Sequence, residues 1–238
     1  MEWHDQGIVL GARAYGENGA IAHLFSEQHG RVAGYLRSIT SKRIRSIMQP
    51  GRTVQFSWRA RLSEQTGALQ IDEEVRPVFL IDQPYPLIAM NAMVGLLDIC
   101  LQDQLAFPEL YGASRGLLEL LSHNTHWQPA YIKWELGLLQ SMGYGLDLHK
   151  CALGGDANDL AYISPKTGRA ASREKGQQWH DQLFLLPRFL CDPNAPYKKN
   201  DIDNGLRLSG YFLHQRLLLP IQKDFPNARN NLQEKLAQ

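Results

Sequence analysis

Residues 53–62, Thr-Val-Gln-Phe-Ser-Trp-Arg-Ala-Arg-Leu, alternate between apolar and polar side chains almost without fault. Val54, Phe56, Trp58, Ala60 and Leu62 point one way; Thr53, Gln55, Ser57, Arg59 and Arg61 point the other. A period of two belongs to a strand with one buried face. It assigns Phe56 and Trp58 to a core rather than to a surface. Four more runs read as strands: Gly7–Arg13, Ala20–Ser26, Gly30–Arg37 and Ala68–Val75. The turn formers Gly16-Glu17-Asn18-Gly19 and Thr66-Gly67 punctuate them.

Five short strands in about 75 residues fit a small barrel such as the OB-fold. The pattern changes near Pro77, and from Leu87 the apolar spacing turns helical through Met90, Val94, Leu97 and Leu101. Further helices are predicted over Pro108–Ser122, Pro129–Met142 and Asp203–Pro220, with a short polar helix at the C-terminus. Between them, residues 146–200 are rich in turn clusters and read as an irregular insertion. The fold expected is α+β: a five-stranded barrel over residues 1–80, then a mainly helical domain over 81–238.

The chain has 238 residues, and 44% of them are hydrophobic, enough for a buried core. Cys100, Cys151 and Cys191 are odd in number and widely spaced, which suits a reducing compartment better than a disulfide framework. Neither a signal peptide nor an apolar run of the roughly 20 residues that a membrane span needs is visible. A cytoplasmic location and no membrane partner are expected.

The net charge of +1 names no partner, but its distribution does. Arg31, Arg37, Lys42, Arg43, Arg45, Arg52, Arg59 and Arg61 fall within residues 31–61, where there is no Asp or Glu. Residues 82–114 hold Asp82, Asp98, Asp103 and Glu109 and no Lys or Arg. Such a basic cluster on a barrel points to a phosphate backbone, because each neutralised phosphate releases a counterion. Arg adds a bidentate fork and a stacking plane. Tyr35 lies among these charges and fits either a base-stacking or a structural role. Ser38–Arg45 reads as a mobile loop able to close on a strand.

Catalytic motifs are missing: no P-loop, G-x-S-x-G, H-E-x-x-H or dinucleotide fingerprint occurs. His149, Cys151 and His180 are an incomplete set for zinc, and Cys151 shows no orienting partner for a nucleophile. Asp156, Asn158 and Asp159 lack the terminal Glu of a calcium loop and read as turn residues.

Several stretches resemble the bacterial RecO family of DNA repair proteins. They are Gly7-Ile8-Val9-Leu10 with Tyr15-Gly16-Glu17-Asn18, His29-Gly30-Arg31-Val32, and the basic segment leading to Met48-Gln49-Pro50. Trp134–Leu139 through Met142-Gly143-Tyr144-Gly145, Cys151–Gly155 and Ser164–Gly168 follow in the right order. The resemblance implies an N-terminal OB-fold, a helical domain and a zinc-knuckle-like segment. It implies a recombination mediator that is not an enzyme. Such a protein binds single- and double-stranded DNA, anneals complementary strands and helps load recombinase onto strands coated with single-stranded DNA-binding protein. The partners implied are RecR, RecF and the acidic, apolar tail of single-stranded DNA-binding protein.

This chain departs from the family at the knuckle. Where many members carry four cysteines, only Cys151 remains; the other positions fall on Gly154 and near Ser172 and Lys175. No metal and no cofactor are therefore expected. For the acidic tail, Lys133 beside Trp134 is a candidate anchor, equally readable as an exposed Lys next to a core Trp, and Arg207 and Arg216 are further candidates. Two rival readings stand beside the mediator: a protein-interaction module whose basic barrel binds an acidic protein surface, and an enzyme using Cys151 or His149 and His180.

Overall fold

The computed structural model describes residues 1–37, 39, 41–61, 66–76 and 83–237. The expected strand end at Leu62, the transition at Pro77 and Asp82 lie outside the described residues. The chain divides into two compact units, Met1–His123 and Asn124–Gln238.

In the first unit, β1 (Glu2–Tyr15), β2 (Gly19–Ser26), β3 (Gly30–Arg37), β4 (Thr53–Arg59) and β5 (Gly67–Arg76) close into a barrel of order β1-β2-β3-β5-β4. β1 pairs antiparallel with β2 on one side and with β4 on the other, while β3 and β5 pair in parallel. The alternation read at residues 53–62 decides which way β4 faces: Val54, Phe56 and Trp58 are buried in one cluster with Val9, Leu24, Val32, Leu36, Leu69 and Ile71. The Trp58 indole N–H donates to the Ala33 carbonyl at 3.0 Å, so its one polar atom is satisfied inside.

The segment expected to be a mobile loop contains a short helix, α1 (Lys42–Ile47). Ser41 caps it by accepting from the Ile44 amide at 3.3 Å. Ile44, Ile47 and Met48 recur at helical spacing and pack against the barrel cluster. That burial anchors the segment and leaves Lys42, Arg43 and Arg45 on the exposed side. α2 (Pro84–Cys100) and α3 (Pro108–His123) complete this unit, with Met90, Val94, Leu97, Leu110, Leu117, Leu118 and Leu121 buried as their spacing predicts.

The second unit begins with α4 (Trp127–Ser141). Residues 146–200, expected to be irregular, contain a small antiparallel sheet of order β7-β6-β8, made of β6 (Leu160–Ile163), β7 (Ala170–Ser172) and β8 (Phe184–Leu185). A single helical turn, α5 (Arg173–Gly176), follows β7. These strands are two to four residues long, too short for a period of two to stand out in the sequence. α6 (Lys199–Leu213) and α7 (Asn227–Ala237) close the unit.

α4, α6 and α7 meet at a buried ion pair that no periodicity announces. The Arg229 guanidinium donates through Nε and Nη2 to the two carboxylate oxygens of Glu135, and its Nη2 also donates to the Leu206 carbonyl at 2.9 Å. Ser209 donates to the same carboxylate, and Gln233 accepts from Arg229 Nη1 at 2.9 Å. Both charged groups are sealed from solvent, at 1% and 0% side-chain exposure. Burial disfavours the Arg229 charge, but Glu135 outweighs it and holds the guanidinium above its ordinary value. Such a pair adds little over a well-packed apolar replacement, whereas removing one partner strands the other. Arg229→Ala should therefore cost about 3–5 kcal/mol in urea unfolding. The double change Glu135→Leu with Arg229→Met should stay within about 2 kcal/mol of the parent. Equal losses in both variants would show that the pair itself, and not a stranded charge, dominates.

Candidate nucleic-acid interface

The eight cations of residues 31–61 separate into three groups once the strands are in register. Two are neutralised. Arg31 on β3 binds Asp98 at the end of α2 through Nε at 2.9 Å and Asp103 through Nη1. His23 Nδ1 lies 2.9 Å from the same Asp98 oxygen. Arg52 is paired with Glu74 on β5. Both guanidinium side chains are only 15% exposed. The run without a single Asp or Glu in residues 31–61 therefore draws close carboxylate partners for Arg31 and Arg52 from other segments of the chain. The acidic segment 82–114 supplies two of the compensating carboxylates, by folding back onto the barrel.

The second group is α1, where Lys42, Arg43 and Arg45 are exposed. Arg43 donates to the Asp72 backbone carbonyl at 3.1 Å. Lys42 and Arg45 are in no ion pair among the described residues.

The third group lies on the outer face of the barrel. Register runs from Arg59 on β4 to Ala68 on β5, Tyr35 on β3, Ile21 on β2 and Arg13 on β1. The next row joins Arg37, Gly19 and Tyr15. Residues directly opposite across a ladder share a face, so these two rows form one surface. Tyr35 leans over Gly19, where a Cβ would lie 2.3 Å from its hydroxyl. It meets Tyr15 edge to face, with centroids 6.2 Å apart. Tyr15 is 63% exposed. Arg13 and Arg37 are exposed and unpaired among the described residues; Arg59 has a loose surface contact with Glu2 at 3.8 Å. Arg61 is exposed just beyond β4. Two tyrosine rings edged by arginines, with Glu17 the one acid in the adjoining turn, make a surface able to hold phosphates and to stack bases.

Arg13 and Tyr15 do not stand out in the sequence, because the β-rich run there ends at Arg13. A signal exists nonetheless: Arg13 and Tyr15 continue the alternation into the Gly16 turn, with both side chains on the polar face.

In the second unit, Lys133 is half-buried beside a groove of about 670 Å³ walled by His126, Pro129, Phe189, Pro193 and Tyr197. The neighbouring Trp134 is buried in the core. Arg207 and Arg216 do not line this groove. Arg207 lies 3.9 Å from Asp203, one turn earlier on α6, and Arg216 donates to the Lys166 carbonyl at 3.3 Å.

The knuckle-like segment brings Cys151 to Ser172: the Ser172 amide donates to the sulfur at 3.2 Å. His180 pairs instead with Asp181, and no imidazole contacts Cys151 among the described residues. Among these residues no group of three or more His, Cys, Asp or Glu side chains could hold a metal. One thiol, one hydroxyl, a glycine and a lysine do not fit a four-coordinate zinc. None of the helices described is long and apolar enough to cross a membrane.

Burial works against ionisation of Asp98, but hydrogen bonds from His23 and Arg31 outweigh it and hold the carboxyl below its ordinary value. A carboxyl depressed in the fold contributes stability above its unfolded pKa, about 3.9, and loses it as pH falls through the folded value. Asp98→Asn should lower the thermal midpoint at neutral pH and reduce its fall below about pH 4. Parallel pH profiles for parent and variant would dissociate Asp98 from Arg31. Burial raises the Cys151 thiol, but amide donation from Ser172, Leu153 and Gly155 outweighs this and brings it down to about 7; burial pushes Cys100 up to about 12. Iodoacetamide at neutral pH should label Cys151 rapidly and leave Cys100 unmodified, as read by peptide mass spectrometry. Equal labelling of the two would remove the amide cradle.

Residues 1–77 match the family described as Recombination protein O N terminal, and residues 83–224 match Recombination protein O C terminal. The DNA repair protein RecO of Rhodospirillum rubrum is 40% identical, with 99% of this chain and 96% of that protein covered. RecO of Caulobacter vibrioides strain NA1000 is 37% identical, with 100% and 98% covered. RecO of Cereibacter sphaeroides ATCC 17029 is 38% identical, with 100% and 99% covered. With a closed five-strand barrel and a helical region under both family matches, the chain belongs to the RecO family of DNA repair and recombination proteins.

Proposed function

We propose that this chain is a non-enzymatic recombination mediator that binds single- and double-stranded DNA through its barrel and anneals complementary strands. The carrying observation is the outer face on which Arg13, Tyr15, Tyr35, Arg37 and Arg59 fall together by register. The face of strands β2 and β3 with the adjoining loops is where a barrel of this topology takes oligonucleotides. Phosphates on the arginines and on Lys42, Arg43 and Arg45 give sequence-independent affinity, and the tyrosines offer bases a π-face. Annealing needs charge neutralisation and exposed base edges rather than acid–base chemistry, so no residue is assigned a catalytic role. Arg61 belongs to the same phosphate set, whereas Arg31 and Arg52, already neutralised, are withdrawn from it.

In this reading RecR and RecF are partners, and the chain helps load recombinase onto strands coated with single-stranded DNA-binding protein. Its second unit takes that protein's tail. An acidic segment ending in an apolar residue needs a cation next to apolar walls, and Lys133 beside Phe189, Pro193 and Tyr197 supplies that combination. Arg207 and Arg216, which lie outside this groove, are no longer needed for it.

A salt titration on a fluorescent oligo-dT strand, run with an annealing assay on a mixed-sequence pair, tests the DNA reading. Reversing Lys42, Arg43 and Arg45 to Glu, or changing Arg37 and Arg59 to Ala, should reduce the salt slope by roughly 0.7 for each single-strand phosphate that is no longer neutralised. Arg31→Ala and Arg52→Ala should leave the slope unchanged and lower stability instead. Tyr35→Leu should weaken single-strand binding by about 1–3 kcal/mol and leave duplex binding nearly intact. A parent protein that ignores oligo-dT would transfer the basic barrel to an acidic protein partner. Separately, Lys133→Glu should weaken a fluorescent acidic peptide with an apolar C-terminus at least tenfold without changing DNA affinity. Undiminished peptide binding would place the tail elsewhere.

A further inference from the structure

The second unit carries two similar turns that face each other. Cys151-Ala152-Leu153-Gly154-Gly155 and Ser172-Arg173-Glu174-Lys175-Gly176 share a spacing: a small polar side chain first, a fourth residue three positions on, and then a glycine. The first turn is held to the sheet by the Ala152 amide, which donates to the Ala170 carbonyl at 2.8 Å. In the second, Ser172 Oγ accepts from the Lys175 amide at 3.4 Å and so caps α5. The turns meet through Cys151 and Ser172. The Cys151 sulfur accepts from the Ser172 amide at 3.2 Å, and the sulfur and Oγ are 3.6 Å apart. Gly155 closes the approach, since a Cβ there would lie 2.1 Å from Ser172 Oγ and 2.9 Å from Lys175 Cγ. Cys151 also packs against the buried cluster of Ala161, Tyr162 and Ala171.

The family resemblance implies four metal-binding cysteines, at Cys151, at the position of Gly154 and near Ser172 and Lys175, and this chain keeps one. We infer that the knuckle here is a metal-independent closure, in which the Cys151–Ser172 hydrogen bonds and the Gly155 contact join the two turns in place of a coordinated ion. A tetrathiolate zinc contributes folding energy directly, so a chain without it must find other contacts between the same turns. Those contacts are local: amide to sulfur, amide to hydroxyl, and backbone packed against Ser172. The Lys175 ammonium turns outward to Glu174 at 3.1 Å, leaving its alkyl stem against Gly155. Closure by hydrogen bonds preserves the spacing of the turns, so cysteines returned to positions 154, 172 and 175 should find Cys151 at coordinating distance.

The test is metal content and thermal melting of the full chain, purified from zinc-supplemented culture. The parent should carry far less than one zinc per chain, and its midpoint should be the same with EDTA or with added zinc chloride. One zinc per chain, lost on Cys151→Ser, would overturn the inference. Gly155→Ala should lower the midpoint by several degrees in the absence of any metal, about what a loss of 1 kcal/mol produces in a unit of this size; an unchanged midpoint would mean that the Gly155 contact closes nothing. The triple variant Gly154→Cys, Ser172→Cys and Lys175→Cys should take up one zinc per chain and give the tetrathiolate absorption spectrum with cobalt. A triple variant that binds no zinc counts against the retained spacing, whether or not it is folded, because a formed site would itself drive folding when zinc is present.

Discussion

One strand with two partners holds the N-terminal unit together. β1 is fourteen residues long, and its Glu2–Ile8 half pairs with β4 while its Gly7–Tyr15 half pairs with β2. Gly7 and Ile8 belong to both ladders, so the sheet closes at that point. The register slips between Val9 and Gly11, and the extra residue gives the strand the local bend that closure needs. Next to the crossover, buried Asp5 accepts from the Gln6 amide at 2.8 Å and the Gln28 amide at 2.9 Å, and contacts His29 Nδ1 at 3.2 Å. His29 in turn stacks on Trp3 at 3.7 Å. A single carboxylate thereby fixes the start of β1 against the β2–β3 turn. Closure leaves no free edge, and it brings β3 beside β5 in parallel. The four ladders from β4 through β5, β3 and β2 to β1 place Arg59, Tyr35 and Arg13 in one row, although they are scattered over 47 positions of sequence.

The barrel is legible because its strands are long enough for the period of two to be unmistakable. Alternation alone assigns Phe56 and Trp58 to the core, and they are buried. The α1 helix is not legible, since a six-residue segment with three cations carries little helical signal by itself. What makes it helical is tertiary: Ile44, Ile47 and Met48 need the barrel underneath. Likewise, charge segregation is visible in the sequence while its resolution is not. Arg31 and Asp98 are 67 residues apart, and no local pattern could pair them. The basic run therefore overstates the free charge and misses Arg13, which reaches the same face from another strand.

The second unit shows the same limit more sharply. Glu135 and Arg229 are 94 residues apart, and each reads locally as an ordinary polar residue of an amphipathic helix. Their pairing comes from the way α4, α6 and α7 pack, which periodicity constrains only to the level of buried faces. Lys133 stands out in the sequence as a cation beside an aromatic residue, but Trp134 is buried in the core and the apolar walls next to Lys133 are other residues. The walls from residues 189–197 do not stand out, since they come from a turn-rich segment without periodicity.

The two candidate surfaces differ in kind, and the difference follows from their electrostatics. The barrel face spreads exposed cations around two tyrosine rings, so its affinity should be shallow, additive and salt-sensitive. The proposed annealing role would require this, because a strand held tightly by its base edges could not present them to a complement. The Lys133 groove concentrates one cation against apolar walls, where partial desolvation would strengthen a charge contact with the proposed acidic tail and make it more specific. The basic, tyrosine-bearing face lies on one compact unit and the apolar groove on the other. The ion pairs of Arg31 with Asp98 and Asp103, and of Arg52 with Glu74, offset two of the barrel's positive charges, while Arg13 and Arg37 stay exposed beside the tyrosine rings.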